Sequence, residues 1–495
     1  MDARSPEAPP ERSAPARTGA RRDLTQGPIT RTLLIFSLPL LGANALQSLN
    51  GTVNQIWVSH TLGESAITAL GNANIVMMLM MAVIFGVGMA GNILIGQAFG
   101  ARDMGLVKHV MGTATTFFVG LSLFVAVAGG LLAPHILDLM RTPAVSRADA
   151  IVYLRIIFAC VPFMYFFMFM QMAQRGAGDS TTPFWFMALA IVIDITLNPL
   201  LIMGIGPFPR LGIAGSATST LIGQSTSLLV MLVYLYRRKS VLMLRGSELR
   251  LLWPDAAIMR SLVVRGLPMG VQMLVMSGTA VVMISLVNRY GALTSAAYSI
   301  SAIIWGYLQM PTMAIGASVS SMAAQNVGAR RWDRVDQVAR SGVISGLTIT
   351  GAVALLLYAF NSVVLGVLLP AHSPAIPLAA HINTTVLWGF VLFSVTFSLS
   401  GVVRSTGAVW WPLAIMIFSM VGVRIPFASL LSHRYGADAI WWSFPLGTIT
   451  SAALTTLYYR YGGWRRVHML EETPVGDAPD AAAMLPPAET AEASG

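Results

Sequence analysis

The chain has 495 residues, of which 55% are hydrophobic and 11% charged, and a formal net charge of +10. A soluble domain carries roughly 25% charged residues, so this composition excludes a string of water-soluble domains and makes lipid the solvent. A single cysteine, Cys160, excludes an intrachain disulfide and a cysteine metal site. No basic stripe carries interleaved stacking aromatics, so a nucleic-acid partner is not expected.

Residues 1–27 begin as a Pro-, Arg-, Ala- and Ser-rich stretch without an apolar core and read as a solvated tail. No apolar stretch ahead of a cleavage site marks them as a signal peptide. Apolar runs long enough to cross a ~30 Å hydrocarbon core as helix follow. They lie at about 32–57, 68–98, 109–133, 151–174, 183–204, 212–236, 258–288, 294–324, 341–369, 378–402, 409–432 and 437–459. Residues 463–495 form a second tail that ends rich in Ala, Pro and acids. The predicted fold is therefore an all-α integral membrane protein with twelve transmembrane helices.

With the N-terminus placed in the cytoplasm, the tails and even-numbered loops hold 24 of the 31 Lys and Arg. Six fall on the other side and one, Arg424, lies within a span. This bias is the positive-inside rule, and it places both termini in the cytoplasm. Anionic lipid headgroups are the natural contacts of the basic loops.

The sequence also repeats itself. Leu38-Pro39 returns as Leu267-Pro268, and Arg175, Gly178 and Pro183 return as Arg404, Gly407 and Pro412, all 229 residues later. Gln97-Ala-Phe-Gly-Ala-Arg102 returns as Gln325-Asn-Val-Gly-Ala-Arg330, 228 residues later. A linker at 237–257 divides a six-helix half at 28–236 from another at 258–462. Six is even, so both halves enter the membrane in the same direction and form parallel-repeat bundles, an architecture of secondary transporters.

Of the 21 acidic residues, only Asp194 lies near the middle of a span. A lone carboxylate in hydrocarbon costs about 2.5–3.5 kcal/mol or more unless paired or hydrated. It is relieved by a proton or a bound cation, which makes Asp194 the candidate ion site; a structural Asp hydrogen-bonded to a neighbouring helix is the alternative. Asn198 lies one turn along, and Pro199 leaves a carbonyl without its helical donor. On span one, Asn44, Gln47, Gly51 and Asn54 recur at spacings of 3, 4 and 3, a polar stripe that faces protein or water. Asn54 is assigned to the ion site, Asn44 and Gln47 to the cavity. The matching stripe of span seven is Met269, Met273, Met276 and Met283. Methionines suit surfaces that fit many ligands, although packing alone also produces such stripes. Pro39 and Pro268, at matching places in spans one and seven, are candidate hinges.

Gly176-Ala-Gly-Asp179 matches the Gly-x-Gly-Asp signature of intramembrane aspartyl proteases, but the second intramembrane Asp that chemistry needs, placed after a Tyr, is missing. No phosphate-cradling loop, Ser-His-Asp set or helical His-Glu-x-x-His appears, so an enzyme is not expected.

Gln-x-x-Gly-Ala-Arg after spans two and eight, the loops Arg175–Pro183 and Arg404–Pro412, and Arg424-Ile-Pro426 together resemble the multidrug and toxic compound extrusion (MATE) family over about residues 28–462. The resemblance implies a plasma-membrane exporter of cationic or amphipathic organic compounds, exchanged against H+ or Na+ by alternating access. No cofactor beyond that coupling ion is implied, and a monomer is expected. Many members carry an Asp in span one where this chain has Asn54. Many also read Asn-x-x-x-Asp-Pro in span five, where this chain reads Asp194-Ile-Thr-Leu-Asn198-Pro199. The rival reading is a flippase for lipid-linked precursors, which would need cationic residues such as Arg424 or Arg155 in its cavity.

Overall fold

The computed structural model describes residues 22–62, 64–140, 142–370 and 373–470. The first half comprises α1 (Ile29–Leu62), α2 (Glu64–Gly100), α3 (Met104–Leu139), α4 (Ala144–Gly176), α5 (Thr181–Met203) and α6 (Ile213–Arg237). The second comprises α7 (Ala256–Asn288), α8 (Ala292–Gly328), α9 (Trp332–Ala359, extended by Asn361–Leu368), α10 (Ala375–Arg404), α11 (Trp410–Tyr435) and α12 (Asp438–Tyr461). Ten of these helices are long and apolar enough by composition to cross a membrane. The other two, α8 and α12, are long but more polar. They bury Ser301, Thr312, Ser320 and Gln325, and Ser443, Ser451 and Thr455, against neighbouring helices rather than lipid.

Each half has its own apolar core, and a third cluster ties the two together. Leu33, Phe36 and Leu40 of α1 pack there on Val319 of α8 and Val335 of α9, so the start of α1 leans on the second half. The start of α7 does the reverse: Leu262 and Met269 pack into the first-half core. Pro39 and Pro268 lie inside unbroken helices, close to where each helix crosses between the halves.

The crossing is pseudo-two-fold at the end where residues 22–27 and 463–470 lie. Gln97 donates to the Ser405 carbonyl at 2.6 Å, and Gln325 donates to the Gly176 carbonyl at 2.8 Å. Between them the Ser321 hydroxyl donates to the Asn92 side-chain oxygen at 3.2 Å. Arg102 and Arg330 both adopt left-handed backbone, as do Gly178 and Gly407. The repeat seen in sequence is thus a latch in space, joining the last turns of α2 and α8.

Residues 22–27 and 463–470, assigned to solvated tails from composition, are folded against this latch. The Arg22 N–H donates to Gly178, Leu24 N–H to Gln325, and Asn326 to the Leu24 carbonyl. Leu24 and Trp464 are buried, and Ser261 holds the Met469 carbonyl. A few apolar side chains anchor otherwise polar segments, a signal too short for composition to register.

The 237–257 linker is docked as well. Thr116 donates to the Leu252 carbonyl, and Lys108 pairs with Glu248. The hydrogen bond from Lys108 holds the Glu248 carboxyl below its ordinary value. A lowered value means that docking is favoured at neutral pH and lost as the pH falls through the folded-state titration. Hydrogen exchange across residues 246–252 should therefore be slow at neutral pH and accelerate in acid. Equal exchange at both would contradict this role for the pair.

Candidate functional site

Asp194 is buried inside the first half, where α1, α5 and α6 meet, and does not face the lipid. Its Oδ1 accepts from Ser219 at 2.5 Å and from Thr220 at 3.3 Å; its Oδ2 accepts from Asn50 at 3.0 Å. One turn along, the Asn54 Oδ1 accepts from Asn198 at 2.8 Å and from Ser216 at 2.7 Å. The pairs Asn50–Asp194 and Asn54–Asn198 keep the same offset of 144 residues, so α1 and α5 run side by side in parallel register. Ser216, Ser219 and Thr220 follow the 3.6-residue period of α6. Ser219 and Thr220 also donate back to the Ser216 carbonyl, which is how hydroxyls are tolerated in a membrane helix. Close approach of α5 and α6 depends on Gly223, where an added Cβ would stand 2.7 Å from the Ala190 carbonyl oxygen.

Among the described residues the network gives Asp194 donors but no cationic partner, and leaves the Asn198 Oδ1 buried without a donor. Such a carboxylate, with a spare oxygen one turn away, can take a proton or a small cation. Removing one donor should be felt. Asn50→Ala is expected to cost about 1–3 kcal/mol, because the Asp194 Oδ2 is left with only the 3.4 Å contact from Thr220. A thermal midpoint unchanged from wild type would show that Asn50 does not hold the carboxylate.

Two cavities lie deeper in the bundles. The first-half cavity, about 320 Å³, is lined by Asn44, Gln47 and Met273, and also by Met81, Met164, Met168, Met172, Phe167 and Arg175. The second-half cavity, about 340 Å³, is lined by Met276, Gln309 and Arg424 among Tyr298, Trp305, Phe390 and Phe444. Asp194 borders neither. From Gln224 on the wall of the first cavity to Thr220 beside Asp194 is one turn of α6, about 6 Å along the axis.

The span-one stripe therefore divides. Asn44 and Gln47 face the cavity, while Asn54 meets α5 and α6; about 80° of rotation separates 44 from 54, and about 10 Å along the axis, with only about 20° of rotation, separates 47 from 54. Asn50 was not among the expected residues. Its signal was the Asn50–Asn54 spacing of four, which mirrors that of Asp194 and Asn198.

The methionine stripe needs correcting. Met273 and Met276 reach cavities, but Met269 and Met283 are buried in core and line neither. The reason is the crossing of α7: one face meets in turn the first-half core, the first cavity, the second cavity and the second-half core. The larger methionine surface is on α2 and α4. Asp179, in the protease-like motif, accepts from the Thr181 and Thr182 N–H groups and so caps the start of α5.

Two related six-helix bundles, each with a cavity and latched together at one end, define a two-half membrane transporter fold. The family model MatE matches residues 39–200 and again 268–430, once in each half. The chain belongs to the MATE family. It is 35% identical to the probable multidrug resistance protein YoeA of Bacillus subtilis (strain 168), over 88% of this chain and 94% of that protein. It is 29% identical to the probable multidrug resistance protein YpnP of the same organism, over 91% and 99%. Among solved structures, it is similar to an outward-facing multidrug resistance MATE transporter (TM-score 0.81, 21% identity, 88% of this chain and 96% of that one). It is also similar to the Vibrio cholerae MATE transporter VcmN (TM-score 0.79, 18% identity, 87% and 96%). These likenesses support the fold.

Proposed function

We infer that this member of a multidrug efflux family is a cation-coupled antiporter, exchanging H+ or Na+ for amphipathic organic compounds by alternating access. The reading is supported above all by the Asp194 network. It puts an ionisable group inside the bundle, held by α1, the helix that also reaches across to the other half. Basic loops and residues 22–27 and 463–470 lie at the latched end, which we assign to the cytoplasm. On that assignment the latch closes the cytoplasmic end, in a bacterial inner membrane. We take a monomer as the working unit.

In the proposed cycle an ion arriving from outside binds at Asp194. A protonated carboxyl gains an O–H donor and loses acceptor capacity, and in this cycle the contacts of Asn50, Ser219 and Thr220 rearrange around it. Asn50 is one turn from Gln47 on α1, so its movement alters the cavity wall and loosens cargo. Movement of α1 about Pro39 then shifts Leu33, Phe36 and Leu40 against α8 and α9, which releases the latch. Cargo binding from the cytoplasm accompanies ion release and resets the molecule. The lipid-linked precursor flippase has less support, because the ion site would then have no part.

The test is efflux of a panel of cationic, zwitterionic, neutral and anionic amphiphiles from proteoliposomes, with pH and Na+ gradients imposed separately. At least one gradient should accelerate movement of part of the panel. If neither gradient moves any compound faster than leak, the antiport reading is wrong.

A further inference from the structure

We propose that the second-half cavity is an organic-anion subsite, in which Arg424 holds a carboxylate of an amphipathic cargo whose apolar body lies among Tyr298, Trp305, Phe390 and Phe444. The inference rests on the exporter reading and names the charge of the cargo it recognises. It reverses the expectation of simple organic cations.

The first observation is an unmet cation. The Arg424 guanidinium lies 3.4 Å above the Phe444 ring. Its Nε is buried without an acceptor, and among the described residues no carboxylate pairs with it. Two acids of the second half are engaged elsewhere, Asp336 with Arg465 and Tyr459, and Asp438 with His381. A guanidinium at membrane depth is costly, and an aromatic face replaces only part of its hydration. Arginine also presents a planar fork of donors that matches a carboxylate.

The second observation is the surroundings. Neither cavity is lined by an acidic side chain, while Arg175 stands in the first and Arg424 in the second. Around Arg424 the aromatic walls suit an apolar body, and Gln309 and Thr448 add neutral polar groups. The Arg424 arm runs along Gly447 of α12.

The third is the backbone. α11 opens into a π-helical turn at Phe418–Arg424, a geometry frequent at functional sites, and Arg424 stands at the end of that turn.

Binding of dansylglycine, an aromatic carboxylate, and of its neutral amide to the purified full-length protein tests the proposal without any gradient. The wild type should prefer the carboxylate by about tenfold or more, the value of one charge-assisted contact. Arg424→Gln should erase that preference while leaving amide affinity near wild type, and Arg424→Lys should keep part of it. Equal wild-type affinities for acid and amide would overturn the proposal, as would an unchanged preference in Arg424→Gln. If Arg424→Gln fails to fold, the wild-type comparison decides. A preference abolished by phosphatidylglycerol in nanodiscs at lipid-like amounts would assign Arg424 to a lipid headgroup and overturn it too. A carboxylate preference without gradient-driven efflux would sink the antiport reading alone. Driven efflux with no such preference would sink this inference alone.

Discussion

Gly100→Ala and Gly328→Ala should each push the two halves apart at their latched end. A Cβ at Gly100 would lie 1.8 Å from the Gln325 carbonyl oxygen, and one at Gly328 would lie 1.9 Å from that of Gln97. Real atoms do not approach so closely, and backbone cannot swing aside as a side chain can. The ends of α2 and α8 must separate, which also strains the reciprocal hydrogen bonds from Gln97 and Gln325. Overpacking of this kind costs about 1–3 kcal/mol per site. That is enough to shift a conformational equilibrium by roughly 5- to 150-fold. Hydrogen exchange across 92–100 and 321–328 should rise in each variant, and more in the pair. Exchange and thermal midpoint identical to wild type would mean that the closed end does not depend on this contact.

The second large effect is expected at the buried acid. Asp194→Asn preserves size but leaves one acceptor oxygen for the donors of Asn50, Ser219 and Thr220, and it can neither gain a proton nor balance a cation. Loss of one hydrogen bond to a charged group is worth about 1.5–3 kcal/mol, a factor of roughly 10 to 150. Gradient-driven efflux should fall by at least that factor, toward the rate without a gradient. Ser219→Ala keeps the carboxyl and removes one donor, so it should slow efflux less. Full coupled efflux from Asp194→Asn would leave the carboxylate a structural role only.

Much of the architecture is legible in the chain because lipid imposes a coarse rule: apolar runs must be helices, and duplicated motifs mark duplicated halves. Asp194 stood out for the same reason, as the one acid at mid-span. The details that depend on rotation about a helix axis were harder to read. Asn54 and Asn44 share a stripe on paper but diverge over ten residues, and Asn50 lies between them. The α7 stripe is chemically uniform, yet its four methionines meet four environments because the helix crosses between bundles. Arg424 could be seen in sequence, but its aromatic cage comes from α8, α10 and α12, which only the fold assembles. The ordered ends of the two tails were missed because Leu24, Trp464 and Met469 are isolated anchors in polar surroundings.

The most direct test of the coupling account is ion movement itself. Proteoliposomes loaded with a pH-sensitive dye or bathed in radiolabelled Na+ would be given a gradient of transported cargo, with wild type and Asp194→Asn side by side. Wild type should drive one of the two ions against the cargo flow, and Asp194→Asn should drive neither. Cargo-driven H+ or Na+ flux persisting in Asp194→Asn at the wild-type rate would contradict the account.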